Sequence, residues 1–421
     1  MTENETVLSR LKREEEIVWH NPDALPFETA YAACELTRAD IEEAAQRLSR
    51  FAPVLEKLFP ELEASGGIIE SPLTAIPAAQ RAILGDSAER NGIRLFLKRD
   101  SDLPVAGSVK ARGGIHEVLA HTEKIACEAG LITGPEDDLI KLITPRARAF
   151  FSAHSVQVGS TGNLGMSIGI MSAALGYKAI VHMSADAKQW KKDLLREKGV
   201  TVIEYAGDYG EAVKKGREES EKDPQSYFVD DENSRALFLG YAVAGERLKK
   251  QLSAQGIPVD AAHPLFVYLP CGVGGAPAGI TFGLKCAFGD AVRCRFVEPV
   301  AVPSMLLGFV TKKYHGICVQ DIGLSGRTEA DGLACGRCSG FAGKLIEPFV
   351  EGCSTVADAR LRPLMRTLYR TEGLFIEPSA CASLASAQDF IAQSPEPGTH
   401  IAWATGGRLM PGPVREALLK E

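Results

Sequence analysis

From Ser155 onward, short apolar runs alternate with longer segments whose apolar positions recur at helical spacing. VQV leads into the turn GSTGN and a helical stretch to about Leu175. KAIVHM predicts a strand, and DAKQWKKDLLREKG an amphipathic helix closed by Gly199. TVIEYA, SYFVDD, LFVYLP, RCRFVEP and IAWA predict further strands, with helical patterns in DYGEAVKKGREESEK and NSRALFLGYAVAGERLKKQL. Upstream, TRADIEEAAQRLSRFAPVLEKLF predicts helix with Thr37 as its cap, RLFLKRD a strand, and 110–150 a helix followed by an irregular insertion. Strands separated by helical segments imply α/β architecture with mainly parallel open sheets flanked by helices. The pattern predicts a helical extension over 1–65 packed on a large domain, the large domain itself from 66–151 and 234–421, and a small α/β domain over 152–233.

The 421 residues carry 47 basic and 54 acidic side chains, a net charge of −7. Without a basic excess, nucleic acid is not the expected partner. Two uncharged stretches, SVQVGSTGNLGMSIGIMSAALGY and PLFVYLPCGVGGAPAGITFGL, are broken by Gly, Ser, Asn or Pro and read as buried strand–loop–helix units, not membrane spans. The first 20 residues lack the apolar core of a signal peptide, so a cytoplasmic location is expected. The ten cysteines are scattered and are expected to be free and mostly buried. Cys335 and Cys338 form a lone C-x-x-C without two further ligands at zinc spacing.

Three segments carry candidate chemistry. In GSVKARGG, Lys110 falls just inside a helix start, where a cation opposes the helix dipole. It reads either as a solvated surface lysine or as a Schiff-base lysine among small residues that leave room for a planar cofactor. In GSTGNLG, Gly159, Gly162 and Gly165 permit close backbone approach, and Ser160, Thr161 and Asn163 offer polar groups. The segment is a hydrogen-bonded turn or a site for an anionic or polar ligand. In LPCGVGGAPAG, Gly272, Gly274, Gly275 and Gly279 open a helix and make a phosphate cradle. Pro277 stands where a dinucleotide fingerprint needs its last glycine, yet Glu298 follows at the end of the next strand, which leaves a nicotinamide dinucleotide-binding oxidoreductase as an alternative.

The order of these segments resembles pyridoxal-phosphate enzymes of the tryptophan-synthase type, fold type II. RLSRFAP, FPE, GGIIES, GSVKARGG, VGSTGNLG, HMSADA followed by WKK, DDENSR, PLFVYLPCGVGG, VQDIGL, ADGLA, EPSA and WATGG together resemble the D-serine dehydratase family, across roughly residues 45–411. The resemblance implies a monomeric ammonia-lyase that holds pyridoxal 5′-phosphate on Lys110 and converts D-serine, and also D-threonine, by β-elimination. Dehydration of L-serine or L-threonine, or racemisation, on the same fold is the nearest alternative. Asn163 would bond the cofactor's phenolic oxygen, and Gly272, Gly274, Gly275 and Ala276 its phosphate. Thr405 would face the ring nitrogen, where a neutral partner favours quick loss of a β-substituent over transamination.

Thr161 would be the catalytic base or its relay, or would bind the substrate carboxylate. Ser108, Arg112 and Ser160 are candidate substrate contacts, with loop anchoring as the alternative for Arg112. Glu298 and Asp331 are candidate ligands of a monovalent cation, potassium or sodium. Asp230, Asp231 and Glu232 read as N-capping groups before a helix. The chain departs from the family pattern at Ala276, Ala278 and Arg408.

Overall fold

The computed structural model describes residues 3–160, 162–185, 187–206 and 209–420. Its strands are, in chain order, β1 (Val18–His20), β2 (Leu73–Ala75), β3 (Ile93–Lys98), β4 (Ser155–Gly159), β5 (Lys178–Ser184), β6 (Thr201–Tyr205), β7 (Ser226–Val229), β8 (Leu265–Pro270), β9 (Val292–Pro299), β10 (Val350–Val356) and β11 (Gly398–Trp403). The chain divides into two compact units. The larger comprises residues 1–38, 71–102 and 241–421, and the smaller 39–70 and 103–240.

The larger unit is built on a sheet of order β1-β10-β9-β8-β11-β3-β2. Its five inner strands run parallel, and each edge is closed by a short antiparallel strand, β1 on β10 and β2 on β3. Every residue of β8, LFVYLP, is buried, as expected of a parallel strand covered on both faces. Parallel strands direct all their carboxyl ends to one edge, where ligand loops of open α/β sheets gather. Since β8 and β11 are neighbours in register, Tyr268 beside Ala402, the loops after them lie side by side.

The smaller unit holds a parallel sheet of order β6-β5-β4-β7. All five residues of β4 are buried, and β4 runs into the loop before the helix Asn163–Leu175.

The α/β class with mainly parallel sheets is as expected, but the division of the chain is not. The expected extension over 1–65 is split between the units at residue 38, and 103–151 belongs with the smaller unit instead of the larger. The helix Lys110–Glu128 packs on the helix Asn163–Leu175 so closely that a Cβ on Gly114 would lie 2.4 Å from the Ser167 hydroxyl. Arg47 and Arg50 reach the same helix through Glu123, at 2.7 and 3.0 Å. Helical periodicity shows that a face is buried, but not against which sheet. The helix expected over NSRALFLGYAVAGERLKKQL is interrupted at Val243 between Arg235–Ala242 and Ala244–Ala254.

The ten cysteines form no disulfide with one another; five are buried and five half-buried. Among the described residues no helix is long and apolar enough to cross a membrane.

Candidate active site

In the smaller unit, Lys110 is the first residue of its helix and half-buried. Its carbonyl accepts a hydrogen bond from Ser167 Oγ at 2.8 Å, one turn into the helix that Asn163 opens. The two residues expected to hold the cofactor's reactive end therefore begin two helices locked together by one serine. Gly240 supports the first of them: a Cβ there would lie 2.7 Å from His116 Cβ and 2.8 Å from the Arg112 carbonyl. Ser108, 1% exposed, has a hydroxyl with no hydrogen-bond partner. An unpaired buried hydroxyl costs about 1–3 kcal/mol, so an orphan this close to Lys110 suits a group that arrives with a ligand.

Two candidate substrate contacts are engaged elsewhere. The Arg112 guanidinium grips Glu70 with both terminal nitrogens, at 3.0 and 2.5 Å, and so anchors its segment. Ser160 Oγ accepts from the backbone N–H groups of Gly162 and Gly165, at 3.0 and 2.8 Å. It satisfies amides at the helix start and shapes the loop. Thr161 lies outside the described residues. Asp230 does not cap the following helix. It pairs with Arg217 at 3.0 Å and accepts the Glu232 N–H, while Ser234 Oγ takes the Leu237 N–H in the capping position.

The helix Gln189–Glu197 supplies a residue the sequence reading missed. Lys191 is 2% exposed, and its Nζ would lie 2.6 Å from a Cβ on Gly162. A buried ammonium thus sits against the loop that leads to Asn163. The two adjacent lysines of QWKKDLLRE are the available signal, and amphipathic periodicity alone does not tell which of them is buried.

In the larger unit, the loop after β8 enters the helix Gly275–Phe288 through Gly274, at φ +108°. The conformation requires glycine there, and a Cβ would in addition displace the tip of Met305, whose Cε would lie 2.1 Å away. Among the described residues no protein acceptor is placed on the N–H groups of Gly274, Gly275 or Ala276. These donors, at a helix N-terminus, are set for an anion.

Beside this loop, β11 ends in Trp403, and Thr405 follows with a buried hydroxyl that has no partner. Its backbone is fixed from β3. Ala404 donates to the Lys98 carbonyl at 2.9 Å and accepts from Ser101 N–H at 2.7 Å, and Trp403 Nε1 donates to Asp100 at 2.8 Å.

Glu298 and Asp331 both border Gly272. Glu298 accepts the N–H groups of Met305 and Leu306, at 2.7 and 2.9 Å, and burial pushes its carboxyl up to about 8. Ser304, which leads that helix, reaches the Gly272 carbonyl at 3.5 Å. On the other side, a Cβ on Gly272 would meet the carbonyl of Gly332, the residue after Asp331, at 3.2 Å. Glu298 is spent on helix amides inside the protein, so it is not the free acid at a strand end that a dinucleotide reader needs, and the oxidoreductase alternative falls. Among the described residues no three His, Cys, Asp or Glu side chains are grouped to hold a metal ion.

Residues 65–406 match the family described as pyridoxal-phosphate dependent enzyme. The chain is 53% identical over 408 residues, 94% of its length and 92% of the relative's, to the D-serine dehydratase of Escherichia fergusonii. It is 52% identical over 416 residues, 96% and 94% of the two chains, to that of Escherichia coli O157:H7.

The chain belongs to the D-serine dehydratase family of pyridoxal-phosphate dependent enzymes.

Its fold is shared with solved structures of low sequence identity. The diaminopropionate ammonia lyase of Escherichia coli superimposes with a TM-score of 0.71 over 96% of this chain and 97% of its own, at 16% identity. The residues present fit the cofactor. In the larger unit, helix-start amides without protein acceptors suit a phosphate, and the orphan hydroxyl of Thr405 awaits a partner; in the smaller unit, taken by itself, a lysine in a small-residue setting suits an aldehyde, and the orphan hydroxyl of Ser108 awaits a partner.

Proposed function

We propose that this chain eliminates water from D-serine to give, after hydrolysis of the enamine product, pyruvate and ammonia, with D-threonine as a second substrate. The observation that supports this most is the 53% identity over nearly the whole chain to a D-serine dehydratase. Pyridoxal phosphate supplies the aldehyde that takes the substrate amine and the conjugated ring that disperses the electrons of the broken Cα–H bond.

The chain's own residues divide the remaining work. Lys110 holds the cofactor between turnovers and, once released, its amine moves protons. The amides of Gly272, Gly274, Gly275 and Ala276 bind the phosphate. Asn163 would donate to the phenolic oxygen, and the Thr405 hydroxyl, a neutral partner, would donate to the ring nitrogen. Thr161 takes the α-proton directly or through a relay, while Ser160 and the Lys191 ammonium shape and charge its loop. Ser108 gives its unpaired hydroxyl to the bound ligand. Glu298 and Asp331 would lie near a monovalent cation, whose charge would favour the ionised form of Glu298 that burial disfavours. The enzyme acts as a cytoplasmic monomer.

The test is pyruvate formation by purified holoenzyme from D-serine and from L-serine at equal concentration. The reading predicts a kcat/KM at least a hundredfold higher for D-serine, the scale at which a site built for one arrangement of polar groups rejects another. Equal rates, or a preference for L-serine, would transfer the chain to the L-specific dehydratases.

A further inference from the structure

We propose that Glu61 and Glu70 are positioning residues that clamp the backbone presenting Lys110 from both sides and hold it in a conformation it would not keep alone. The proposal rests on the reading of Lys110 given above. It arises from two motifs that the reaction itself does not use, FPE at 59–61 and GGIIES at 66–71.

The segment before Lys110 contains an uncommon backbone conformation. Val105 has φ +71°, in the left-handed region that a β-branched residue rarely enters, and it is buried. Gly107 is also left-handed, at φ +59°, so the chain turns twice within three residues. Within this turn the N–H of Gly107 meets the Leu103 carbonyl at 3.0 Å and that of Ala106 the Pro104 carbonyl at 2.9 Å. Lys110 follows three residues later. Strain of this kind persists only where the surroundings over-determine the backbone.

Here the surroundings are one short strap. The Val105 N–H donates to Glu61 Oε1 at 2.6 Å. Two residues beyond Lys110, Arg112 is gripped by Glu70, with the guanidinium side chain 2% exposed. Both acids belong to residues 60–70, which have a firm footing of their own. The turn Pro60–Ser65 buries Leu62 completely. Gly66 and Gly67 are both left-handed, and a Cβ on Gly67 would lie 1.9 Å from the Ala52 carbonyl of the helix Ala52–Leu58. The strap is thus pressed on that helix and cannot drift with the segment it holds. A charge-assisted bond on one side and a bidentate ion pair on the other fix where the peptide of Ser108–Lys110 points. Reactive groups on a backbone free to relax lose orientation, and a displacement of about 1 Å can cost two powers of ten in rate.

Four proteins test this: wild type, Glu61→Ala, Glu61→Gln and Val105→Gly. Hydrogen exchange of the cofactor-free protein, read on peptides within 103–112, should be at least tenfold faster in Glu61→Ala and Val105→Gly. Glu61→Gln, which keeps a carbonyl acceptor for the Val105 N–H, should stay near wild type. In the holoenzymes, kcat for pyruvate formation from D-serine should fall about ten- to a hundredfold in Glu61→Ala and Val105→Gly. KM should change less than about threefold, and Glu61→Gln should recover most of the rate. Val105→Gly relieves the strained φ but gives up a buried side chain, so it should melt somewhat below wild type and still fold; it carries the test if Glu61→Ala does not fold. Wild-type exchange over 103–112 together with wild-type kcat in a folded Glu61→Ala or Val105→Gly would overturn the proposal, as would a lower Tm with kcat unchanged. If the wild-type protein takes up no cofactor and makes no pyruvate, the functional reading fails, and the exchange measurement on the cofactor-free protein still decides the clamp.

Discussion

Replacing Lys110 by alanine is expected to lower pyruvate formation from D-serine by about three to four powers of ten, toward the upper end of what loss of a positioned proton-transfer group costs. The same change removes the amine that holds the cofactor, so no second residue can restore the rate. The fold should not suffer. Lys110 begins a helix of 19 residues, where its positive charge faces the positive end of the dipole, and alanine is the better helix former. Its main-chain carbonyl, which accepts the Ser167 hydroxyl, is kept in the variant. The check is a steady-state assay beside a thermal melt of the cofactor-free proteins. An active Lys110→Ala protein, or one that melts far below wild type, would show that the lysine is structural.

Ala276→Asp is expected to weaken pyridoxal phosphate binding by about two to three powers of ten, while the cofactor-free protein stays folded. Ala276 is the second residue of the helix Gly275–Phe288 and already carries a Cβ, so the backbone there accepts a side chain. That makes it a cleaner probe than Gly274, where a Cβ would strike Met305. A carboxylate in the first turn gains roughly 0.3–1 kcal/mol from the helix dipole, which offsets part of the cost of placing it at a position only 4% exposed. Against a bound phosphate it is repulsive. At about 4 Å and an effective dielectric of about 20, each unit-charge pair costs about 4 kcal/mol, which part relaxation brings to the expected range. Equilibrium titration of cofactor-free protein measures the change, with Ala276→Gly as a control expected to bind within a few fold of wild type. If Ala276→Asp binds as wild type does, the phosphate is held elsewhere.

Much of this arrangement was legible before the fold was seen. Strands such as LFVYLP and IAWA announced themselves as short apolar runs bounded by turn residues, and both lead into loops of the candidate site. Lys110, Asn163 and the glycine loop fall at element ends, where glycines and polar residues leave a mark in sequence, whereas Thr405 is legible only through the resemblance that WATGG carries. Three kinds of feature left none. The strand Val350–Val356, VEGCSTV, has small residues in place of an alternating or continuous apolar pattern, and the edge strand Val18–His20 is only three residues long. The division of the chain depends on which sheet a helix face meets, and 103–151 carries no local sign of that choice. The partners of Arg112 and Val105 are acids about 40 residues upstream, and sequence alone shows Glu61 and Glu70 only as charged residues in a turn. Lys191 is missed for a related reason. A lysine's place in an amphipathic pattern does not reveal that its long stem passes into the protein, to set the charge against a glycine loop.

The most direct measurement of the central claim is borohydride reduction of the protein with pyridoxal phosphate bound, followed by peptide mapping. Reduction converts the imine to a stable secondary amine and marks the lysine that carried it. The account predicts an absorbance at roughly 410–420 nm before reduction, its loss on reduction, and a single labelled peptide with the pyridoxyl group on Lys110. A label on Lys191 or another lysine, or a protein that takes no label while forming pyruvate from D-serine, would contradict it.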